Sequence, residues 1–190
     1  ILRINDFRWN FGANISYNHN EITELYNGRD VYELANTNLL LKTGHSYGEF
    51  YINRFAGVNP VNGDALWYDK DGNITNVYSE NDKVLVGKSS IAPWQGGFNT
   101  MFTWKGLSVS AQFTWVKDRW VMNNDRYFDE SNGMFINQNQ SKKLLYDRWK
   151  EPGDIATVPR HGVIMEFDDR LLEDASFLRL KNLNVSYSFD

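Results

Sequence analysis

Asp69, Asp71, Asn73 and Glu80 stand at positions 1, 3, 5 and 12 of a calcium-binding loop. Ile74 occupies the place where such a loop needs glycine for its sharp turn, so the spacing fits a plain Asp-Gly turn better than a cation site. His19, His45 and His161 lie far apart, outside any H-x-x-x-H or H-x-E ligand spacing. Asp168-Asp169 and Glu173-Asp174 are the carboxylate pairs that glycoside hydrolysis would need. Neighbours on an extended chain point to opposite faces, however, so neither pair makes a dyad by itself. Tyr47, Trp67, Tyr68, Trp94 and Trp120 are the aromatics whose flat ring faces suit the apolar face of a sugar. Trp94 and Trp120 also suit interfacial anchors, and the other three can equally pack loops together. The sequence contains no Gly-rich phosphate loop and no Ser/His/Asp arrangement, so no catalytic residue, metal site or cofactor is predicted.

Composition narrows the field. The 190 residues could form one domain, and a net charge of −4 gives a nucleic-acid partner no electrostatic footprint. The absence of cysteine removes disulfide scaffolds, thiolate metal sites and cysteine nucleophiles. No run approaches the ~18 apolar residues of a membrane helix. A mean hydropathy of −0.54 reads as polar, but a membrane barrel can carry that value, because half of each strand faces a polar lumen and the loops are hydrophilic. Ile1-Leu2-Arg3 shows no leader pattern, and Asp190 follows an alternating run with no closing turn. These ends read as those of an internal piece of a longer protein.

The elements that must position these residues are strands. In Gly96–Val116, Phe98, Thr100, Phe102 and Trp104 share one face, and Leu107, Val109, Ala111, Phe113 and Trp115 continue it after Lys105-Gly106. This period of two predicts a β-hairpin with one apolar and one polar face. Phe7–Asn18 repeats the pattern over twelve residues, and Lys181–Phe189 gives a third strand. Gly44–Asn53 could form one more extended strand. Leu66–Tyr68 and Ile74–Tyr78 flank a turn and predict a small surface hairpin. Residues 117–175 are irregular apart from a short helix expected within Ser141–Trp149, and so long a segment suggests a functional loop.

Two architectures give this alternation: a soluble sandwich with its apolar face in the core, or an outer-membrane barrel with that face in lipid. The strands are long, and their polar faces carry Gly, Ser, Thr, Asn and Gln with few charges, which favours the barrel. Trp104 and Trp115 would stand about 20 Å apart in height on tilted strands, near the spacing of two aromatic girdles. Short turns are periplasmic in such barrels. That puts Lys105-Gly106 inside and makes 19–94 and 117–176 mostly extracellular.

Ala175–Asn182 (ASFLRLKN), followed by Leu183–Phe189 (LNVSYSF), resembles the signature near the end of SusC/RagA-type TonB-dependent outer-membrane transporters. Phe7-Arg8-Trp9 through Ser16-Tyr17, Gly44–Gly48 with Phe55–Pro60 and Gly63–Asp69, and Trp149 with Pro152-Gly153-Asp154 and Pro159-Arg160 are similar to family segments in the same order. The resemblance covers nearly the whole chain. It implies that residues 1–190 are the C-terminal portion of an antiparallel transmembrane β-barrel of 22 strands, the size class that holds a plug in its lumen. It also implies import of oligosaccharides or peptides across a Gram-negative outer membrane, a SusD-like surface lipoprotein as partner, and TonB acting through a plug outside this chain. The alternatives from other classes are a soluble β-sandwich that binds glycan and, ranked last, a glycan-cleaving enzyme.

Overall fold

The computed structural model describes residues 1–35, 37–135 and 137–189; the reading placed on Asp190 lies outside them. The chain opens with β1 (Leu2–Ile4) and β2 (Phe7–Tyr17). Shorter strands follow: β3 (Val31–Glu33), β4 (Leu40–Lys42), β5 (Glu49–Ile52), β6 (Arg54–Val58), β7 (Ala65–Tyr68), β8 (Ile74–Thr75) and β9 (Val84–Ser89). Next come the long strands β10 (Trp94–Trp104) and β11 (Leu107–Lys117), then β12 (Trp120–Met122). Two short helices, α1 (Asn124–Asp129) and α2 (Lys143–Tyr146), precede β13 (Leu172–Asp174) and β14 (Phe177–Tyr187). The fold is all-β with antiparallel sheets. No helix among the described residues is long and apolar enough to cross a membrane.

The chain divides into two compact units. One gathers Ile1–Asn20, Ile91–Trp120 and the segment from Asp174 onward; the other gathers Glu21–Ser90 and Val121–Glu173.

The first unit is a single sheet in the order β1-β2-β10-β11-β14. Its register aligns the apolar side chains row by row. Trp9 faces Phe102, which faces Val109, which faces Val185; Ala13, Phe98, Phe113 and Leu180 form another row. Phe98 and Phe113 stack with centroids 4.6 Å apart, and Tyr17 meets Trp94 at 4.4 Å. Lys105 and Gly106 both take positive φ, 45° and 81°, as a two-residue turn of the primed type demands. Gly96 is glycine because a Cβ there would run into the Trp115 ring and the Asn14 backbone.

The last strand corrects the expected Lys181–Phe189. It starts at Phe177, ends at Tyr187, and its register with β11 shifts between Gln112 and Phe113. Leu178 and Leu180 are even-numbered, whereas Leu183 and Val185 are odd-numbered. A bulge that leaves Lys181 unpaired between Leu180 and Asn182 absorbs the change of phase and keeps all four on the apolar face. No described residue of this unit is buried: Phe11 is 55% exposed, Ile15 66% and Val185 62%.

In the second unit β3 pairs β4, β5 pairs β9, and β6-β7-β8 form a three-stranded sheet. The extended strand expected over Gly44–Asn53 is only β5, because Gly44 and Gly48 turn the chain with φ of 81° and 90°. The helix expected in 141–149 is the four residues of α2. This unit has a true core, built on Ile52, Trp67, Leu144, Val158 and Leu171. Residues 121–173 are therefore not a loose loop: Val158, Met165, Leu171 and Leu172 are all buried.

Candidate functional site

The second unit is held together by buried polar groups. Asp168 is fully buried, and each of its oxygens is taken. The Trp67 indole N–H donates to Oδ2 at 2.9 Å. The Arg170 guanidinium grips both oxygens at 2.8 and 2.6 Å, and the Arg170 backbone N–H donates to Oδ1. A buried carboxylate is tolerated only when its charge and lone pairs are met in this way. Arg170 also lies over the Phe55 ring, 3.8 Å from its centroid. Asp169 points elsewhere and accepts the Phe55 backbone N–H at 2.9 Å. Burial raises the Asp169 pKa, as it does that of Glu166, where the Asp168 charge adds to the effect.

A second cluster continues from the Arg170 carbonyl, which accepts from Arg126 at 2.5 Å. Arg126 makes a bidentate pair with Glu130 at 3.0 Å for each bond and reaches Glu173 at 3.4 Å; Lys143 joins Glu130 at 3.1 Å. For Glu130, burial pushes the pKa up, but these cationic donors outweigh it and the net shift is downward. Both carboxylate pairs singled out from the sequence thus meet separate donors, since Asp174 accepts from the Ser176 backbone N–H rather than from Arg126.

Two segments that carry the family resemblance are joined in space. Trp149 donates through its indole to the Pro60 carbonyl at 3.1 Å, and the Gly153 N–H reaches the same oxygen at 2.8 Å. Arg160 pairs with Asp64 at 2.9 Å, and its backbone N–H donates to the Gly63 carbonyl. Gly63 has φ of +75°, and a Cβ there would strike the Trp149 ring. Nearby, buried Asn132 donates to the carbonyls of Arg160 and Val163 at 2.8 and 2.7 Å.

The aromatics expected to stack on ligand have separate surroundings. Trp67 is 5% exposed, packs edge-on against Tyr78 and holds Asp168, so its ring belongs to the core. Tyr68 is half-buried beneath Arg54, whose guanidinium carbon lies 5.2 Å from the ring centre. Trp120 is half-buried in β12, and Tyr47 is exposed in the turn before β5. Asp69 accepts backbone N–H groups from Asp71 and Asn73 and the Asn73 amide, which lowers its pKa and closes the Asp-Gly turn; Glu80 pairs with Lys83. His45 meets Glu49 at 3.0 Å. Among the described residues no three His, Cys, Asp or Glu side chains gather as metal ligands.

Of two concave surfaces, the polar face of the long sheet was anticipated from the sequence and the second was not. The polar face of the long sheet bounds a hollow of about 680 Å³ in which Asn99, Gln112 and Asn182 stand in one cross-strand row. In the second unit Leu25, Tyr26, Arg29, Tyr32 and Leu41 border an open hollow of about 310 Å³. The Tyr26-Asn27-Gly28 turn was the available signal for this second cavity.

No protein-family model matches the chain. The TonB-dependent receptor P39 of Formosa agariphila is 24% identical across the whole chain, and the TonB-dependent receptor SusC of Bacteroides thetaiotaomicron is 27% identical over 97% of it. The solved RagAB peptide transporter superposes on 98% of the chain with a TM-score of 0.91 and 39% identity. The chain spans about a fifth of the length of these relatives: 23%, 19% and 21% respectively.

Proposed function

We infer that this chain, which is related over its whole length to the SusC/RagA-type TonB-dependent receptors, forms part of the barrel and outward loops of an outer-membrane nutrient importer. The observation that carries this reading is the superposition on the RagAB transporter over 98% of the chain at 39% identity. The exposed apolar face of the long sheet supports it, because a face of Trp, Phe, Ile, Leu and Val finds a favourable solvent in lipid. Enzymatic roles find no support: the relatives bear receptor and transporter names, and the carboxylates discussed above are matched to structural donors.

In this reading the polar face with Asn99, Gln112 and Asn182 lines the lumen, and residues 19–94 and 117–176 meet the cargo outside the cell. The cargo is an oligosaccharide or a peptide. A SusD-like lipoprotein delivers it, and TonB drives passage through a plug that lies outside this chain. Tyr47 is the sequence-predicted aromatic best exposed for cargo contact.

Orientation and location are tested together by labelling single cysteines in the full-length receptor on whole cells. Val61→Cys and Ile155→Cys, at exposed loop positions, should react with an impermeant maleimide on intact cells. Lys105→Cys should react only after the outer membrane is permeabilised. Labelling of Lys105→Cys on intact cells, or recovery of the receptor in the soluble fraction, would overturn the reading.

A further inference from the structure

Tyr26 is 86% exposed and Tyr32 47%, a large aromatic exposure that the core of the second unit does not need. The two rings help to bound the cavity of about 310 Å³, near the lower end of the range for small-ligand pockets. Local structure holds the site in shape. The Gly28 N–H donates to the Leu25 carbonyl at 3.2 Å, and Asn27 and Gly28 both take left-handed backbone angles, φ 59° and 64°. Such a turn is costly for a non-glycine residue, and it aims Leu25, Tyr26 and Arg29 from one short segment. The opposite wall is the β3/β4 hairpin, where Tyr32 and Leu41 are cross-strand partners and the Thr43 N–H donates to the Asp30 carbonyl.

The chemistry of the lining is selective. Leucine and tyrosine carbon forms the walls, and Arg29 is the one charged side chain among the lining residues. A sugar needs several acceptors as well as donors for its hydroxyls, and this cavity offers only the two phenol oxygens as side-chain acceptors, with no carboxylate or amide side chain in its lining. An apolar body that ends in a carboxylate fits better, with the guanidinium taking both oxygens in its planar fork and the phenol hydroxyls adding donors. We propose that this cavity binds the C-terminal residue of an oligopeptide, its free carboxylate on Arg29 and its aliphatic or aromatic side chain between Tyr26 and Tyr32. The assignment rests on the import reading above and sharpens it, because it selects peptide over glycan as cargo.

The test uses the full-length receptor in detergent and two fluorescent decapeptides of identical sequence ending in leucine, one a free acid and the other a C-terminal amide. The acid should bind about tenfold tighter than the amide, the worth of one charge-assisted pair. Arg29→Gln should abolish that preference, costing the acid more than the amide, whose carbonyl loses only a neutral acceptor's bond. Tyr26→Ala should weaken both peptides, and Tyr26→Phe should weaken them less, since it keeps the ring and loses only one hydroxyl donor. Equal binding of acid and amide by the wild type, or a preference that survives Arg29→Gln, would overturn the proposal and leave the import reading standing. Binding of a neutral maltohexaose that is lost in Tyr26→Ala would assign the cavity to glycan instead and also overturn it. Failure of the import reading shows separately, as a receptor absent from the outer membrane.

Discussion

The two units of this chain solve opposite solvation problems. The long sheet has four eleven-residue strands in a register broken by a single bulge, yet buries none of its described side chains. The second unit has strands of two to six residues, yet holds Ile52, Leu171, Asn53 and Asp168 at 0% exposure. Regularity and burial are thus separated within one sequence. On the import reading proposed above, the sheet forgoes a core because lipid takes its apolar face, whereas water-facing loops must build a core from whatever the turns bring together. The contrast extends to charge: twenty of the 24 Asp and Glu, and thirteen of the 20 Lys and Arg, fall in the second unit. That leaves the sheet unit mildly basic, with four acidic residues against seven basic ones.

The largest effect expected is in the loop core. Asp168→Ala would strand the Arg170 guanidinium and the Trp67 N–H in a buried site. The cost should be about 3–5 kcal/mol, as for other buried pairs stripped of one partner. Limited proteolysis of the full-length receptor should then cut within 121–173 while the long strands stay protected. If the strands are cut equally fast, the two units do not have separate stabilities and the contrast fails.

The sheet should answer a different substitution. Ala111→Arg places a cation on the apolar face between Thr100 and Leu183. It should cost about 2–4 kcal/mol if that face meets the middle of a bilayer. Gln112→Lys, one residue along on the polar face, should cost under about 1 kcal/mol. Urea titration of the receptor refolded into vesicles reads both, and equal penalties would mean that the two faces see the same solvent.

Thr100→Val sharpens the same point at smaller scale. Thr100 is the one polar residue on the apolar side of β10, and its hydroxyl accepts the Trp9 indole N–H at 2.7 Å. In lipid that N–H has no water to turn to. The isosteric change should cost about 1–3 kcal/mol in vesicles, and Thr100→Ser should recover most of it.

How far each unit could be read from sequence follows from the same contrast. The sheet was legible because its signal is local: a period of two running through Phe7 to Tyr17 and Phe98 to Trp115 needs no knowledge of distant partners. It failed where the period itself broke, at the Lys181 bulge, and the early part of β14 was missed. The loop core was illegible because its determinants are remote. Trp67 and Asp168 are 101 residues apart, and Phe55 and Asp169 are 114 apart. Nothing around Trp67 distinguishes a ring that holds a buried carboxylate from one offered to a ligand. Turn chemistry was readable piecemeal, as at Asp69–Asn73. The joining of Gly63 to Trp149 required the fold.

The smallest effect concerns pH, and it separates two carboxylates within the loop unit. Burial raises the Asp169 pKa, so the folded state holds that proton to higher pH than the unfolded chain, whose value is about 3.9. Its contribution therefore turns unfavourable as pH rises from that value through the folded one, and the penalty is complete above it. Glu130 runs the other way. Its folded pKa is lowered, so its pairing with Arg126 and Lys143 is present above the unfolded value of about 4.3 and is lost as pH falls through the folded one. Asp169→Asn keeps an oxygen for the Phe55 N–H and removes the buried charge. It should stabilise the loop unit at neutral pH by less than about 1 kcal/mol and gain nothing at pH low enough to protonate the wild-type group. Glu130→Gln should destabilise at neutral pH, with the loss shrinking on acidification. Thermal melts of the two variants between pH 3 and pH 8 should thus diverge in opposite directions from wild type as pH rises. Parallel curves would mean that neither carboxylate is coupled to folding through its own proton.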